Sequence, residues 1–328
     1  MQFHIPEAYH LQPLRAYLQK ELRLSSNLIS ALKRHPRGMM LNQNRVTVRC
    51  ELHAGDTLEL AIEEITPTRV GQIVPAPPTL PLHILYEDDD ITVCNKPAGM
   101  PTHPSHGHFS DTLANALAYR EQQRTKPSPP FVFHPINRLD RNTSGIVLVA
   151  RHALAAQRLG LAMMAGEIRK TYLALLAGKI AASEGDIITG IRRQQESVIT
   201  REVTPTDAPG ADYAHTRYQV LHVGTLPPDV TLPRPEHPRE VTLVMACPTT
   251  GRTHQLRLHF AHLGTPILGD DLYGYGPLPV AMPRHALHAV ALCFPHPRSG
   301  ELFTVHAPIP ADMQALLPNF IDTANTLD

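Results

Sequence analysis

With 328 residues and 42% apolar side chains, the chain can bury a real core and fits one large domain plus a small one. Thirty Lys and Arg balance thirty Asp and Glu, so net charge names no partner, and 32 prolines with no tryptophan imply many turns. The start MQFHIPEAYH lacks the basic and apolar parts of a signal peptide, no apolar run approaches a membrane span, and Cys50, Cys94, Cys247 and Cys293 have no zinc-ligand spacing. These features exclude secreted, membrane-spanning and zinc-stapled classes and lead us to expect a cytoplasmic, monomeric protein with free thiols.

Residues 1–10 suit an edge strand or arm. Leu14, Leu18 and Leu22 share one helical face, and Ser25-Ser26-Asn27 offers an N-cap for a second helix carrying Leu28, Ile29 and Leu32. Gly38 ends it. Met39–Leu41 and Val46–Val48 read as short strands around a turn at 42–44, and 58–62 alternates like a half-buried strand. Residues 11–50 hold eight basic residues, Lys33, Arg34 and Arg37 among them, against the single acid Glu21. That asymmetry suits phosphate contact, although a solvated helical face gives the same pattern. Two small helices followed by short strands resembles the S4-type RNA-binding domain, which sets residues 1–65 as a small α+β module. Residues 66–81 are Pro-rich and read as a stiff linker that lets this module act as an arm.

A second domain, 82–317, opens with strand, acidic turn and strand over 84–97. The loop after it carries Lys96, a candidate phosphate contact or a solvated turn lysine, and then His103, His106 and His108. A His-rich loop can bind metal; a polar loop touching RNA is the other reading, and no metal or cofactor is expected. Residues 112–119 read as a helix capped by Ser110 or Asp111. Then comes the stretch Asn137-Arg138-Leu139-Asp140-Arg141-Asn142-Thr143-Ser144-Gly145, running into the apolar strand 146–150. It places one carboxylate, Asp140, between two arginines, and opposite charges nearby favour the ionised form. Such a carboxylate can act as nucleophile or base, or the cluster can be a surface salt bridge. Thr143 and Ser144 are expected to bond locally and shape the loop, and Gly145 to take angles other residues avoid.

Arg-Leu-Asp-Xaa-Xaa-Thr-Ser-Gly before an apolar strand resembles the signature of the RluA-type ribosomal large-subunit pseudouridine synthases. The family usually has His where this chain has Asn137, a departure that bears on local hydrogen bonding more than on chemistry. The resemblance extends to the Lys-Pro-Xaa-Gly loop at Lys96, to Lys170-Thr171-Tyr172-Leu173-Ala174, and to His254-Gln255-Leu256-Arg257. It implies that Asp140 is catalytic, that Tyr172 lies against the target base, and that Arg257 pairs with Asp140. Arg138, Arg141, Lys96, His103, Arg252 and His254 become candidate RNA contacts, the last two also candidate braces for a helix start.

Between these motifs, 152–165 reads as a helix and 169–176 as a strand. Strands are also expected at 187–188, 197–199, 216–223, 241–246, 287–294 and 301–307, with 224–239 as an insertion. Leu256, Phe260 and Leu263 share a helical face. A Gly-Asp-Xaa-Xaa-Tyr-Gly turn with Asp270, Asp271 and Tyr273 reads as structural, and 318–328 as a fraying polar tail. The expected fold is α+β: the pseudouridine synthase fold, with a mixed, mainly antiparallel sheet and a central cleft. The resemblance implies isomerisation of uridine in structured RNA, ribosomal RNA first and transfer RNA second, through base flipping. A non-catalytic RNA-binding assembly factor is the alternative. A glycoside hydrolase would need a second acid across the bond, and none presents itself in these motifs.

Overall fold

The computed structural model describes all residues except 63–72, 78, 124–130, 196, 198, 233, 235, 279 and 317–328. The expected tail at 318–328 and part of the expected linker and of the 197–199 strand lie outside the described residues.

The N-terminal module is a four-stranded sheet in the order β1 (Gln2–His4), β4 (Thr57–Leu60), β2 (Met39–Leu41), β3 (Asn44–Arg45). Against it lie α1 (Leu14–Ala16), which runs into a π-turn at Tyr17–Glu21, and α2 (Ser26–Arg34). Ser25 caps α2 by accepting the Leu28 N–H. The expected strand at 46–48 does not form. β3 is Asn44–Arg45, and Val48 instead points into the module's core.

The large domain is built on an eleven-stranded sheet. Its path runs β11 (Arg201–Thr204), β10 (Glu184–Arg193), β12 (Asp212–Thr225), β13 (Glu240–Pro248), β9 (Arg169–Ala177), β14 (Leu287–Pro295), β8 (Ser144–Ala150), β6 (Ile91–Lys96), β5 (Ile84–Glu87). Two short strands flank it: β7 (His134–Pro135) beside β8, and β15 (Leu302–His306) beside β14. Every pairing is antiparallel except β14 with β8, which makes the sheet mixed and mainly antiparallel, as expected. The expected strand at 197–199 gives way to β11, while the insertion at 224–239 joins β12 to β13.

Strand β8 shows why both faces of the sheet are covered. Its side chains alternate, with Val147 and Val149 in one apolar core and Ile146, Leu148 and Ala150 in the other. Leu113 and Leu117 of α3 (Leu113–Gln122) and Leu256 and Phe260 of α5 (Gln255–His262) join the first core. Ala155, Leu159 and Ala162 of α4 (Ala153–Met164) join the second. A short α6 (Ala311–Leu316) adds Met313 and Leu316 to the first. Leu263, expected beside Leu256 and Phe260, caps α5 and is 41% exposed.

Two expectations about the joints change. The cap of α3 is Thr112, not Ser110 or Asp111. Its hydroxyl and the Asn115 amide form a capping box, and Asn115 also donates to the Val74 carbonyl at 2.6 Å while Ala76 N–H returns to Asn115 O at 2.9 Å. The end of the linker is thus docked with Ala76 buried. The N-terminal module is docked too: Leu154 and Ala153 of α4 pack in its apolar core, and Gln157 accepts from Ser25 N–H and donates to Arg23 O. Apolar burial at this seam opposes the free swing expected of an arm.

Candidate active site

The strand register places the site. Lys96 of β6 stands opposite Gly145 of β8, Gly145 opposite Ala289 of β14, and Ala289 opposite Tyr172 of β9. Close approach at this line demands glycine: Gly145 has φ +114°, and a Cβ there would sit 2.2 Å from the Ala289 carbonyl oxygen. Because β8 and β14 run parallel, the segments that lead into them, 138–143 and 284–286, lie side by side.

The 139–144 segment is held at nearly every residue. Thr102 Oγ1 donates to Leu139 O at 2.9 Å and accepts from Leu139 N–H at 3.2 Å. Asp140 O accepts the Thr143 N–H. Lys96 Nζ donates to the carbonyls of Pro97, Met100 and Arg141 at 2.9, 2.7 and 3.1 Å. Arg284 donates to Asn142 O at 3.3 Å and is itself fixed by the Asp312 carboxylate of α6. The Thr143 and Ser144 hydroxyls meet His285 Nε2 at 2.8 Å and His288 Nδ1 at 2.9 Å, long-range braces in place of the local bonds expected. Burial holds these two histidines near pH 3 and 4, so both are neutral at physiological pH. Asn137 acts as a surrogate strand residue: its amide donates to Ile146 O at 2.9 Å and its oxygen accepts from Leu148 N–H at 2.8 Å. A neutral imidazole carries one donor and one acceptor on opposite sides of its ring, so it would serve these two groups less readily.

Lys96 is a correction to the sequence reading. It is fully buried, so it cannot reach an RNA phosphate. Burial lowers its pKa to about 7, with Asp140 acting the other way. Three carbonyl acceptors around one nitrogen require three N–H donors, which only the ammonium form has.

Asp140 itself opens onto a cleft of about 570 Å³, walled by 136–140 and Thr143, by Met163, Met164, Lys170 and Tyr172, and by 248–257. Neither flanking arginine pairs with it. Arg138 donates to Thr253 Oγ1 at 3.3 Å and Arg141 to Gly99 O at 3.2 Å. Arg257, expected to pair with Asp140, instead grips Asp270 through Nε and Nη2, both at 2.6 Å, and reaches Asp271 at 2.9 Å. Asp270 wins the contest because its turn is preorganised: its Oδ1 also accepts the N–H groups of Leu272 and Tyr273, both at 2.9 Å. Burial disfavours both charges, but the pairing outweighs it, raising the Arg257 pKa and lowering that of Asp270. Among the described residues no side chain forms an ion pair or hydrogen bond with the Asp140 carboxylate. Its charge acts through space on Lys96, Tyr172, His254 and Arg257.

Tyr172 is buried in the cleft wall; burial first, and the Asp140 charge second, raise its phenol pKa. It therefore offers a flat ring and a hydrogen-bond donor, not a base. His254 starts α5 in the left-handed region at φ 58°, a conformation costing on the order of 1–3 kcal/mol in a non-glycine residue. Its Nδ1 lies 2.9 Å from the Tyr273 hydroxyl, while the Tyr273 ring lies 5.2 Å beneath the Arg257 guanidinium. His254 thus braces the helix start. Arg252 is exposed beside the cleft and donates to Tyr213 O at 3.0 Å. Lys33, Arg34 and Arg37 are exposed at the end of α2, outside the cleft lining.

The His103 loop does not gather its three rings. His108 pairs with Asp111 at 2.6 Å, and burial and Arg138 lower the His103 pKa. Among the described residues, the group of metal-ligating atoms that does converge is Asp88, Asp90 and His296. Those atoms are already engaged: Asp88 by His296, Tyr86 and two N–H groups, Asp90 by His152 and Arg298. They form a clasp between the β5–β6 and β14–β15 turns.

Sequence reasoning missed Lys170, which lines the cleft near Thr250 O at 3.4 Å and whose pKa burial lowers. Its place two residues before Tyr172 on one strand, hence on the same face, was the available signal. It also missed Thr102, Arg284, His285 and His288, whose bracing depends on contacts across at least 37 residues.

Comparison with known proteins bears on this geometry. The sequence profile described as RNA pseudouridylate synthase matches residues 90–262. An uncharacterized RNA pseudouridine synthase of Bacillus subtilis, YjbO, is 35% identical over 90% of this chain and 95% of its own length. Ribosomal large subunit pseudouridine synthase D of Xanthomonas campestris is 34% identical over 85% of this chain and 80% of its own. Among solved structures, human RNA pseudouridylate synthase domain containing 1 superposes with a TM-score of 0.54 at 27% identity, covering 75% of this chain and 96% of that one. Human RNA pseudouridylate synthase domain containing 4, at 24% identity and a TM-score of 0.57, shares the fold over 72% of this chain and 92% of that one. With a profile match that spans more than half of its length and relatives 34 and 35% identical over most of both chains, the chain belongs to the RNA pseudouridine synthase family.

Proposed function

We propose that this pseudouridine synthase acts on ribosomal RNA, with Asp140 as its catalytic carboxylate, Tyr172 as the face that receives the flipped uracil, and Arg257 as the fixed cation beside them. The observation that carries the reading is the contrast within the 139–144 loop: its backbone and hydroxyls are tied down while the Asp140 carboxylate faces an open cleft. In the reaction the bond from uracil nitrogen 1 to the ribose breaks, the base turns, and carbon 5 joins the ribose in its place. The hydrogen leaves carbon 5 and nitrogen 1 ends protonated, so atoms balance without a cofactor. A positioned carboxylate can attack the ribose or the ring, or take a sugar proton. Uracil is stacked in structured RNA and must be extruded to reach Asp140. The Tyr172 ring supports a flipped base by stacking. Arg257 keeps one guanidinium nitrogen, Nη1, without a protein hydrogen bond among the described residues, available to charge in the cleft.

The ribosomal substrate rests on the likeness to ribosomal large subunit pseudouridine synthase D, 34% identical. In this reading residues 1–65 are an S4-type module that grips RNA through the exposed Lys33, Arg34 and Arg37, and the enzyme works in the cytoplasm. Among the described residues no helix is long and apolar enough to cross a membrane. Pseudouridine mapping of RNA from cells with the gene, without it, and with Asp140→Asn tests the reading. Loss of the same large-subunit ribosomal site in both altered strains is expected. A lost site only in transfer RNA would overturn the substrate, and retention of the site with Asp140→Asn would overturn the residue.

A further inference from the structure

Aromatic residues make up 5% of this chain, and among the described residues two of them stand out as exposed: Phe109, 68% exposed, and Tyr213, 48%. Neither lines the cleft itself, but each belongs to a segment tied to a different cleft wall, Phe109 through the loop that holds Leu139 and Tyr213 through Arg252. Phe109 ends the His-rich loop that backs the 136–140 wall. At one end of that loop Thr102 holds Leu139; at the other the Arg141 charge reaches Asp111. Between them the loop is stiff. Ser105 and His108 exchange backbone hydrogen bonds at 3.0 and 2.9 Å, His108 pairs with Asp111 at 2.6 Å, and Phe109 O accepts from the Asn115 amide at 3.0 Å.

Tyr213, on β12, supports the 248–257 wall. Its carbonyl holds Arg252, and it shares a strand face with His215, whose Nδ1 lies 3.1 Å from the hydroxyl of the cleft residue Thr249. Its neighbours Ala214 and Thr216, pointing the other way, are fully buried. Each exposed ring is therefore mounted on a braced segment near an exposed arginine, Arg141 of the catalytic-motif loop or Arg252 of the cleft wall.

We infer that Phe109 and Tyr213 are stacking platforms for unpaired nucleobases flanking the target uridine, one on each side of the cleft. An exposed ring on a rigid mount loses little entropy when a base stacks on it, and the adjacent guanidinium can hold the neighbouring phosphate. Stacking is indifferent to base identity, so these platforms add affinity and hold the strand open without reading sequence. The inference rests on the reading of the substrate as RNA and adds to it where the strand is gripped.

The test uses the full chain and an unmodified transcript of large-subunit ribosomal RNA, tritiated at uracil carbon 5. Filter binding gives Kd, and tritium release gives turnover. Phe109→Ala and Tyr213→Ala are each expected to weaken Kd by about 5- to 20-fold, with kcat at saturation unchanged. Phe109→Trp and Tyr213→Phe are expected to keep wild-type Kd, because the ring and not the hydroxyl does the work. Alanine variants that bind as tightly as wild type overturn the platforms, as does Tyr213→Phe matching Tyr213→Ala. The readouts separate the two readings: wild-type binding without tritium release overturns the ribosomal substrate, while the Kd comparison still decides the platforms.

Discussion

The turn that carries Asp270 and the loop that carries Asp140 both face Arg257, and they are wired in opposite ways. In the turn the carboxylate takes everything: two arginine bonds and two backbone N–H groups, in a side chain that is 1% exposed. In the loop the backbone takes the bonds and the carboxylate takes none from the described side chains. A carboxylate neutralised by an ion pair is a poor nucleophile, and one left open in a mobile loop is poorly aimed. Under the proposed function the protein separates the tasks, fixing Arg257 with one acid and aiming the other by its main chain.

Exchanging each acid for its amide should break this contrast most sharply. Asp140→Asn is expected to lower kcat by at least about 10³-fold with an unchanged melting midpoint. Asp270→Asn should instead cost about 3–5 kcal/mol of stability, read by urea denaturation, because it leaves the buried Arg257 charge with only the exposed Asp271 as partner. Equal destabilisation by the two changes would show that the acids are not divided in this way. Lys96→Met keeps the bulk but removes the donor to three carbonyls, and is expected to cost about 1–3 kcal/mol and to lower kcat more than it raises KM. A KM effect alone would show that Lys96 does not aim the loop.

Acid should loosen the loop next. His285 and His288 titrate near 3 and 4 in the fold, below the usual histidine value of about 6.5. Between those limits the unfolded chain binds more protons, so stability falls as pH drops from about 6.5 towards 4. The urea midpoint should be lower at pH 5 than at pH 7, and the difference should shrink in a His285→Gln variant. The smallest effect is expected at Gly160, inside α4, where an added Cβ meets nothing within 4 Å. Gly160→Ala should stabilise by about 0.5–1 kcal/mol without changing turnover; a loss of activity would mean that α4 must bend.

The elements that sequence made legible were those with long, clean patterns. The run 144–150 is apolar throughout, α4 ends within a residue of its expected limits, and 169–177 follows the strand reading. Short elements were harder. Val46 and Val48 have strand propensity, but burial in the module core overrides it. Thr112, Ser110 and Asp111 are all good caps, and only the reciprocal bond to Asn115 selects one. Asp140, Tyr172 and Arg257 were singled out by motif, and all three line one cleft. What motif could not supply was the choice among Asp140, Asp270 and Asp271 as partner to Arg257. That choice depends on the backbone N–H groups of Leu272 and Tyr273 that preorganise Asp270, which no spacing rule encodes. Lys96 misled for a related reason: lysine is rarely fully buried, and its burial rests on main-chain carbonyls, two from its own loop at Pro97 and Met100 and one 45 residues away at Arg141.

Helix α4 has its first turn in the core of the N-terminal module and its last residues, Met163 and Met164, on the rim of the cleft. Its middle belongs to the apolar core under the large sheet. One element shared by two packed cores makes their unfolding interdependent, because neither module nor sheet can release its apolar surface without exposing part of this helix. Calorimetry should show a single cooperative transition for the whole chain. Leu154→Ala, which thins the seam at 154, should split off an early shoulder as the module begins to melt alone.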